Sequence, residues 1–323
     1  MHDTVQNLFE KGKGILAADA SDKTIGKRFL NLGLELNDRT KRSYRKMLFD
    51  TPDLENYISG VILYKDSLEF VDVLSSKGIV CGIKVDEGLE SFNQTDEMVT
   101  KGIETLDARL KDLSKYNLKF AKWRGVFKIT DIYPSNDFYT ENLNRMAKYA
   151  KICQDNNIVP IVEPEVLLEG NHTTTRSAEI LDETLKRLFE KLIEQNVDLA
   201  NLIVKSSMAL PGPESGVHAQ PLEVANATLR SLRRSIPNEV LGVVFLSGGQ
   251  TPDQAITNLN EIVKVNNSLV DGKKDWALTF SFDRAIQEEA MKTWNGMDSN
   301  ISLAQEKFLE RVKQSSLATK GEL

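Results

Sequence analysis

The chain has 323 residues, 41% of them hydrophobic and 27% charged, enough for one large core or two small ones and well short of the apolar content of a membrane protein. Forty-seven acidic against 41 basic residues leave a net charge of −6, so no overall field draws the chain to nucleic acid or an anionic bilayer, and any anionic ligand must be caught locally. The two cysteines, Cys81 and Cys153, cannot build a disulfide framework and fit a reducing, cytoplasmic setting. The opening MHDTVQNLFEKGKG has early acids and no apolar signal core. No run approaches the roughly 18 apolar residues of a membrane span.

In chain order, short β-branched runs alternate with longer stretches of helical period. The strand candidates are Gly14–Asp19, Tyr57–Asp66, Val80–Asp86, Phe120–Ile129, Val159–Leu167, Asn201–Met208, Leu241–Gly249 and Trp276–Ala285. Between them, Asp38 is placed to cap a helix running through Met47. Ile180, Leu181, Leu185, Leu188, Phe189 and Leu192 form one apolar stripe, and Pro221 suits the first turn of a helix running to Ser235. Nearly continuous apolar strands point to a parallel sheet covered on both faces. Eight such units in about 300 residues predict a closed (β/α)8 TIM barrel, a single α/β domain over 1–323, with no linker or low-complexity tract to divide it.

A barrel predicts that chemistry gathers at the carboxyl ends of its strands. Asp19 ends the first run, Lys84 and Asp86 the third; Lys122 and Arg124 lie on the fourth, Glu163 and Glu165 on the fifth, Lys205 on the sixth, Ser247 on the seventh, and Ser281 and Arg284 on the eighth. Within FAKWR and VEPE the charged residues are two apart, so both members face one side of a strand. Charged pairs inside apolar strands are costly unless they face a polar cavity. Taken alone, each pair also reads as a structural ion pair, and Lys205 as a snorkelling surface lysine. Together, a lysine ending a buried strand with Lys84 and Lys122 at equivalent ends reads as an amine that loses its proton by desolvation and like-charge repulsion, and attacks carbonyls.

The stretches GILAAD-x-S, YISGVIL, GIKVD, FAKWR, IVPIVEPE, LSGGQ and WALTFSF-x-RA, in this order and spacing over nearly the whole chain, resemble class I fructose-1,6-bisphosphate aldolase. The resemblance implies reversible cleavage of fructose 1,6-bisphosphate to dihydroxyacetone phosphate and glyceraldehyde 3-phosphate through a lysine Schiff base. It implies catalytic roles for Lys205 (Schiff base), Glu163 (acid/base), Asp19 (C4 hydroxyl), Lys122 (oxyanion and carbinolamine) and Glu165 (a carboxylate supporting Glu163). Ser247, Gly248, Gly249 and Arg284 then fall to the C1 phosphate, Ser21, Thr24, Lys27, Lys84 and Arg124 to the C6 phosphate, and Ser281 to the substrate more generally. The partners implied are small sugar phosphates, with no nucleic acid, membrane or cofactor, and the assembly implied is a homotetramer. His2, His172 and His218 stand apart with no ligand spacing, so they read as surface histidines and no metal is expected.

Several positions depart from the family pattern. Ala20 replaces a glutamate, and Ser206 and Ser207 follow the lysine where Pro-Asn is frequent. Asp283 replaces a small residue beside the C1 phosphate, where a facing carboxylate would weaken binding, so it is expected to point away. If Leu323 is the natural end, a tail ending in tyrosine is lacking and protonation of the enamine is expected to be slow. A different Schiff-base lyase or a transaldolase would share barrel and lysine but not LSGGQ with WALTFSF-x-RA, and a purely scaffolding protein would not need Lys205, Glu163 and Asp19 together. Preference between fructose 1,6-bisphosphate and fructose 1-phosphate is not written in these motifs.

Overall fold

A computed structural model describes residues 1–269 and 276–323. Its strands are β1 (Gly14–Ala18), β2 (Ile58–Leu63), β3 (Val80–Lys84), β4 (Leu89–Ser91), β5 (Met98–Thr100), β6 (Phe120–Phe127), β7 (Val159–Val166), β8 (Ile203–Ser206), β9 (Gly242–Phe245) and β10 (Ala277–Phe282). Eight of them close a parallel barrel in the order β1-β2-β3-β6-β7-β8-β9-β10, with β10 returning to β1 through the pairs Ile15–Ser281 and Leu16–Phe282. The predicted TIM barrel is therefore present. All eight predicted runs contain a strand, and each strand stops before its predicted end, because the polar residues that follow leave the ladder to line the barrel mouth. The pair β4 and β5 was not predicted. It is an antiparallel hairpin whose turn carries Asn93 and Gln94 with positive φ, conformations that asparagine adopts at low cost in a tight turn.

Helix α1 (His2–Leu8) lies across the amino-terminal end of the barrel. Outside the staves run α2 (Asp22–Leu30), α3 (Asp38–Phe49), α4 (Val71–Ser76), α5 (Leu106–Leu113), α6 (Asn136–Asp155), α7 (Thr174–Glu194), α8 (Pro221–Ser235), α9 (Pro252–Ser268), α10 (Arg284–Trp294) and α11 (Ile301–Ala318). The stripe from Ile180 to Leu192 is buried along α7, and Pro221 opens α8, as the periodicity predicts. Asp38 does not cap α3. Asn37 does, its side chain accepting from the Thr40 amide at 2.8 Å, with Asp38 one position inside the helix. Among the described residues no helix is long and apolar enough to cross a membrane.

Two packed layers position the site. The larger joins the outward faces of the strands to the helices, with Trp123 stacked on Tyr149 at 5.4 Å between centroids. The smaller fills the barrel: Ile15, Ala17, Ile62, Phe120, Val159, Ile161, Ile203 and Val244, closed below by Val5 and Leu8 of α1. Side chains alternate along a strand, so the inward column continues from these apolar residues to Asp19, Lys122, Glu163 and Lys205 at the other end. The apolar floor excludes water beneath the charges.

Candidate active site

The carboxyl ends of the strands enclose a cavity of about 540 Å³. At its floor lie four buried charges, Asp19, Lys122, Glu163 and Lys205, none more than 6% exposed. Lys122 Nζ donates to Asp19 Oδ2 at 2.8 Å. Glu163 bridges the two lysines, with Oε2 at 2.8 Å from Lys122 Nζ and Oε1 at 3.0 Å from Lys205 Nζ. The Oε2 contact is an ion pair without hydrogen-bond alignment, so this buried oxygen keeps a lone pair uncommitted. Register explains the grouping: Lys122 pairs with Lys84 on one side and Ile161 on the other, and Arg124 with Glu163, so alternate residues of β3, β6 and β7 converge at one level.

Two carboxylates and two lysines alternate at the floor. The neighbouring lysines singled out in the sequence do not face Lys205 unpaired. Lys122 is engaged by Asp19 and Glu163, and Lys84 pairs with Asp86, so carboxylates separate the three lysines. Burial alone would raise the carboxyl of Asp19, but Lys122, with Lys205 and Lys84, outweighs it and holds Asp19 well below the usual range. Glu163 follows the same pattern: burial raises it, while Lys122, then Lys205 and Arg124, bring it below its ordinary value. Burial disfavours the charge on Lys122, yet Asp19 and Glu163 raise its pKa. Both carboxylates thus begin ionised at neutral pH.

Around the rim the cavity is lined by Ser21, Thr24, Lys84, Arg124 and Glu165 on one side and by Ser247, Gly248, Gly249, Ser281 and Arg284 on the other. Arg124 is tied to Glu165 by an ion pair. Gly248 and Gly249 have φ of 40° and 81°, where a side chain is strained, and an added Cβ would stand 2.5 Å from Leu246 Cδ1 and 2.9 Å from Leu168 Cδ2 respectively. The turn is braced from behind by Gln250, which donates to Ser247 O at 3.0 Å and accepts from Asn258 at 2.7 Å. Ser281 Oγ is buried without a partner. At the opposite rim Ser21 opens α2 without a side-chain cap and meets Thr24 Oγ1 at 3.3 Å.

Of the residues assigned to catalysis or substrate binding from the sequence, only Lys27 does not line the cavity, and it is exposed on α2. Arg28 lines it instead and escaped the sequence reading. Helical spacing carries the signal, since Ser21, Thr24 and Arg28 follow an i, i+3, i+7 stripe that Lys27 leaves. Lys23 and Asp86 also line the cavity. Asp283 turns away only in part: the residue lines the cavity, but Arg28 and Gln287 take up its carboxylate. His172 is not a surface histidine. It is 7% exposed, and burial lowers its pKa, which favours the neutral ring. Among the described residues no group of acids, histidines and cysteines is arranged to hold a metal ion.

Comparison with known proteins gives one family over the whole chain: a family model described as fructose-bisphosphate aldolase class-I matches residues 1–323. A cytosolic fructose-bisphosphate aldolase of Arabidopsis thaliana is 42% identical over 319 residues, covering 96% of this chain and 80% of the plant protein. A fructose-bisphosphate aldolase of Drosophila melanogaster is 41% identical over 331 residues, covering 99% and 90%. Among solved structures, fructose-bisphosphate aldolase from Plasmodium falciparum, crystallised with TRAP and a small-molecule inhibitor, superposes with a TM-score of 0.95 at 40% identity, covering 99% of this chain and 94% of that one.

Proposed function

The chain belongs to the class I fructose-bisphosphate aldolase family, and from that premise we propose how its residues divide the reaction. The enzyme is a metal-independent lyase that cleaves fructose 1,6-bisphosphate reversibly to dihydroxyacetone phosphate and glyceraldehyde 3-phosphate through a lysine Schiff base. Breaking the C3–C4 bond leaves an electron pair on C3, and a protonated imine at C2 accepts it where a ketone does so poorly.

Lys205 supplies the imine. Lys205 passes one proton to Glu163 Oε1, 3.0 Å away, its nitrogen attacks C2, and a second N–H proton moves to the C2 oxygen to give the carbinolamine hydroxyl. Glu163 begins as a base because Lys122 and Lys205 hold it ionised, and it becomes an acid only after taking that proton. It then returns the proton to the carbinolamine hydroxyl, water leaves, and the iminium forms. Lys122, positioned between Asp19 and Glu163, stabilises oxygen charge in these steps. Asp19 takes the C4 hydroxyl proton as the C3–C4 bond breaks, glyceraldehyde 3-phosphate leaves, and the bonding pair forms the enamine. Protonation at C3 and hydrolysis release dihydroxyacetone phosphate and restore the amine. Glu165, paired with Arg124, fixes the acid side of the cavity.

The two rims suit the two phosphates. Ser247, Gly248, Gly249, Ser281 and Arg284 form the C1 subsite, in which the glycine turn offers backbone N–H groups and Arg284 a fork of donors. Ser21, Thr24, Lys84 and Arg124 form the C6 subsite near the start of α2. Lys27, exposed on the same helix, would contribute only at longer range. Resemblance to the family extends the reading to a cytoplasmic homotetramer, and sedimentation of the intact protein tests the assembly.

The observation that carries the assignment is the buried Asp19–Lys122–Glu163–Lys205 chain. Borohydride reduction with dihydroxyacetone phosphate, followed by mass mapping, should attach the triose phosphate to Lys205. A label on Lys84 or Lys122 instead would refute the assignment.

A further inference from the structure

Arg28 on α2 faces Asp283 in the turn between β10 and α10. Nη1 donates to Oδ1 at 2.8 Å and Nη2 to Oδ2 at 2.5 Å, a two-pronged pair with side chains 20% and 29% exposed. Gln287 Nε2 donates to the same Oδ1 at 3.0 Å. That amide is itself fixed: its Nε2 also donates to Ala17 O at 2.8 Å, and its Oε1 accepts from the Tyr44 hydroxyl at 3.1 Å. The carboxylate is therefore held by α2 and α10, and the α10 side is anchored in turn to β1 and α3.

Asp283 also stands at the N-cap of α10, where an aspartate ordinarily bonds the first helical amides, yet it makes no side-chain cap bond. Its charge is spent on Arg28 instead. The start of α10, which carries Arg284, is thereby spared a resident carboxylate that would compete with an incoming anion. Paired, Arg28 and Asp283 sum to zero; parted, either one would add a unit charge to the same cavity wall.

We infer that the Arg28–Asp283 pair sets the affinity of the C1-phosphate subsite, with Arg28 acting as the counter-ion that holds the Asp283 carboxylate off the start of α10 rather than as a phosphate ligand. This rests on reading Ser247, Gly248, Gly249 and Arg284 as that subsite. Both are positioning residues, since they touch the site's charge balance and not the reacting atoms. The sequence alone suggested that a carboxylate here would weaken the phosphate site; the arginine explains how the chain tolerates it.

Fructose 1-phosphate carries only the C1 phosphate, so its KM reads this subsite without the other. Asp283→Asn, which keeps the side chain's shape, should free Arg28 and lower KM about three- to tenfold with little change in kcat. Arg28→Met should expose the carboxylate and raise KM about tenfold, and the double variant should return to within about twofold of the parent. A double variant as weak as Arg28→Met would mean that Arg28 binds phosphate itself, and an unchanged KM in Asp283→Asn would mean that the carboxylate is not felt; either result overturns the inference. Thermal midpoints separate folding loss from binding loss, and Asp283→Asn remains decisive if Arg28→Met does not fold. Arg284→Met distinguishes the underlying reading: if it leaves KM unchanged, the subsite assignment has failed and not the counter-ion role.

Discussion

Glu163 and Asp19 are both ionised carboxylates beside Lys122, yet their surroundings differ, and the proposed mechanism gives them different work. Glu163 touches both lysines, 2.8 Å and 3.0 Å away, whereas Asp19 touches only Lys122. Glu163→Gln should therefore slow formation of the borohydride-trappable Schiff base by about 10²–10⁴-fold. Asp19→Asn should leave that step nearly intact and slow C3–C4 cleavage by a similar factor. Single-turnover trapping with fructose 1,6-bisphosphate checks both, and equal slowing of trapping in the two variants would remove the distinction. These residues were legible in the sequence because a charge at the end of an apolar run is costly without a polar cavity. What the spacing left open was who pairs with whom. The three lysines read as mutually repelling in a list of strand ends, and only the register of β6 against β7 interleaves them with carboxylates.

At the level of elements, strands were easier to read than the polar segments that join them. A buried parallel strand is apolar on both faces, so all eight barrel strands announced themselves. Their ends did not, because Asp19, Asp86 and Arg284 continue each run in sequence while the backbone has already left the ladder. The hairpin of β4 and β5 is short and half exposed, with no periodicity strong enough to mark it, and its evidence lay only in the turn residues Asn93 and Gln94. Helix α2 shows the cost of reading a motif without its period. Lys27 and Arg28 are neighbours in sequence, but a turn of 100° separates them on the helix, and the one in phase with Ser21 as well as Thr24 reaches the cavity. Asn37 and Asp38 are both good caps, and the choice of Asn37 follows from its extended backbone, φ −143° and ψ 170°, which local composition does not encode.

Over the whole molecule the barrel is divided between an apolar floor and a charged mouth, and that division links catalysis to stability. Asp19 and Glu163 have ordinary values of 3.8 and 4.5, and both are lowered in the folded protein. Their contribution to stability is complete above those ordinary values and is lost as pH falls through the lowered ones. Lys122 works in the opposite sense: raised above 10.5, it contributes fully below that value and loses its contribution only as pH rises through the folded pKa. Stability from this cluster should therefore be flat from about pH 5 to 10 and fall on the acid side. Lys122→Met tests the origin of that fall. Without the ammonium group, Asp19 loses its hydrogen-bonded cation and Glu163 one of the two lysines it pairs with, so burial becomes the larger influence on both. The variant should lose about 3–5 kcal/mol at pH 7, the usual cost of stripping one partner from a buried pair. Its stability should then change little between pH 5 and 3, because protonating the stranded carboxylates relieves the cost of burying them. Urea midpoints across that range give the comparison. An acid-side fall as steep in Lys122→Met as in the parent would place its cause outside the barrel mouth, in the carboxylates of the surface ion pairs.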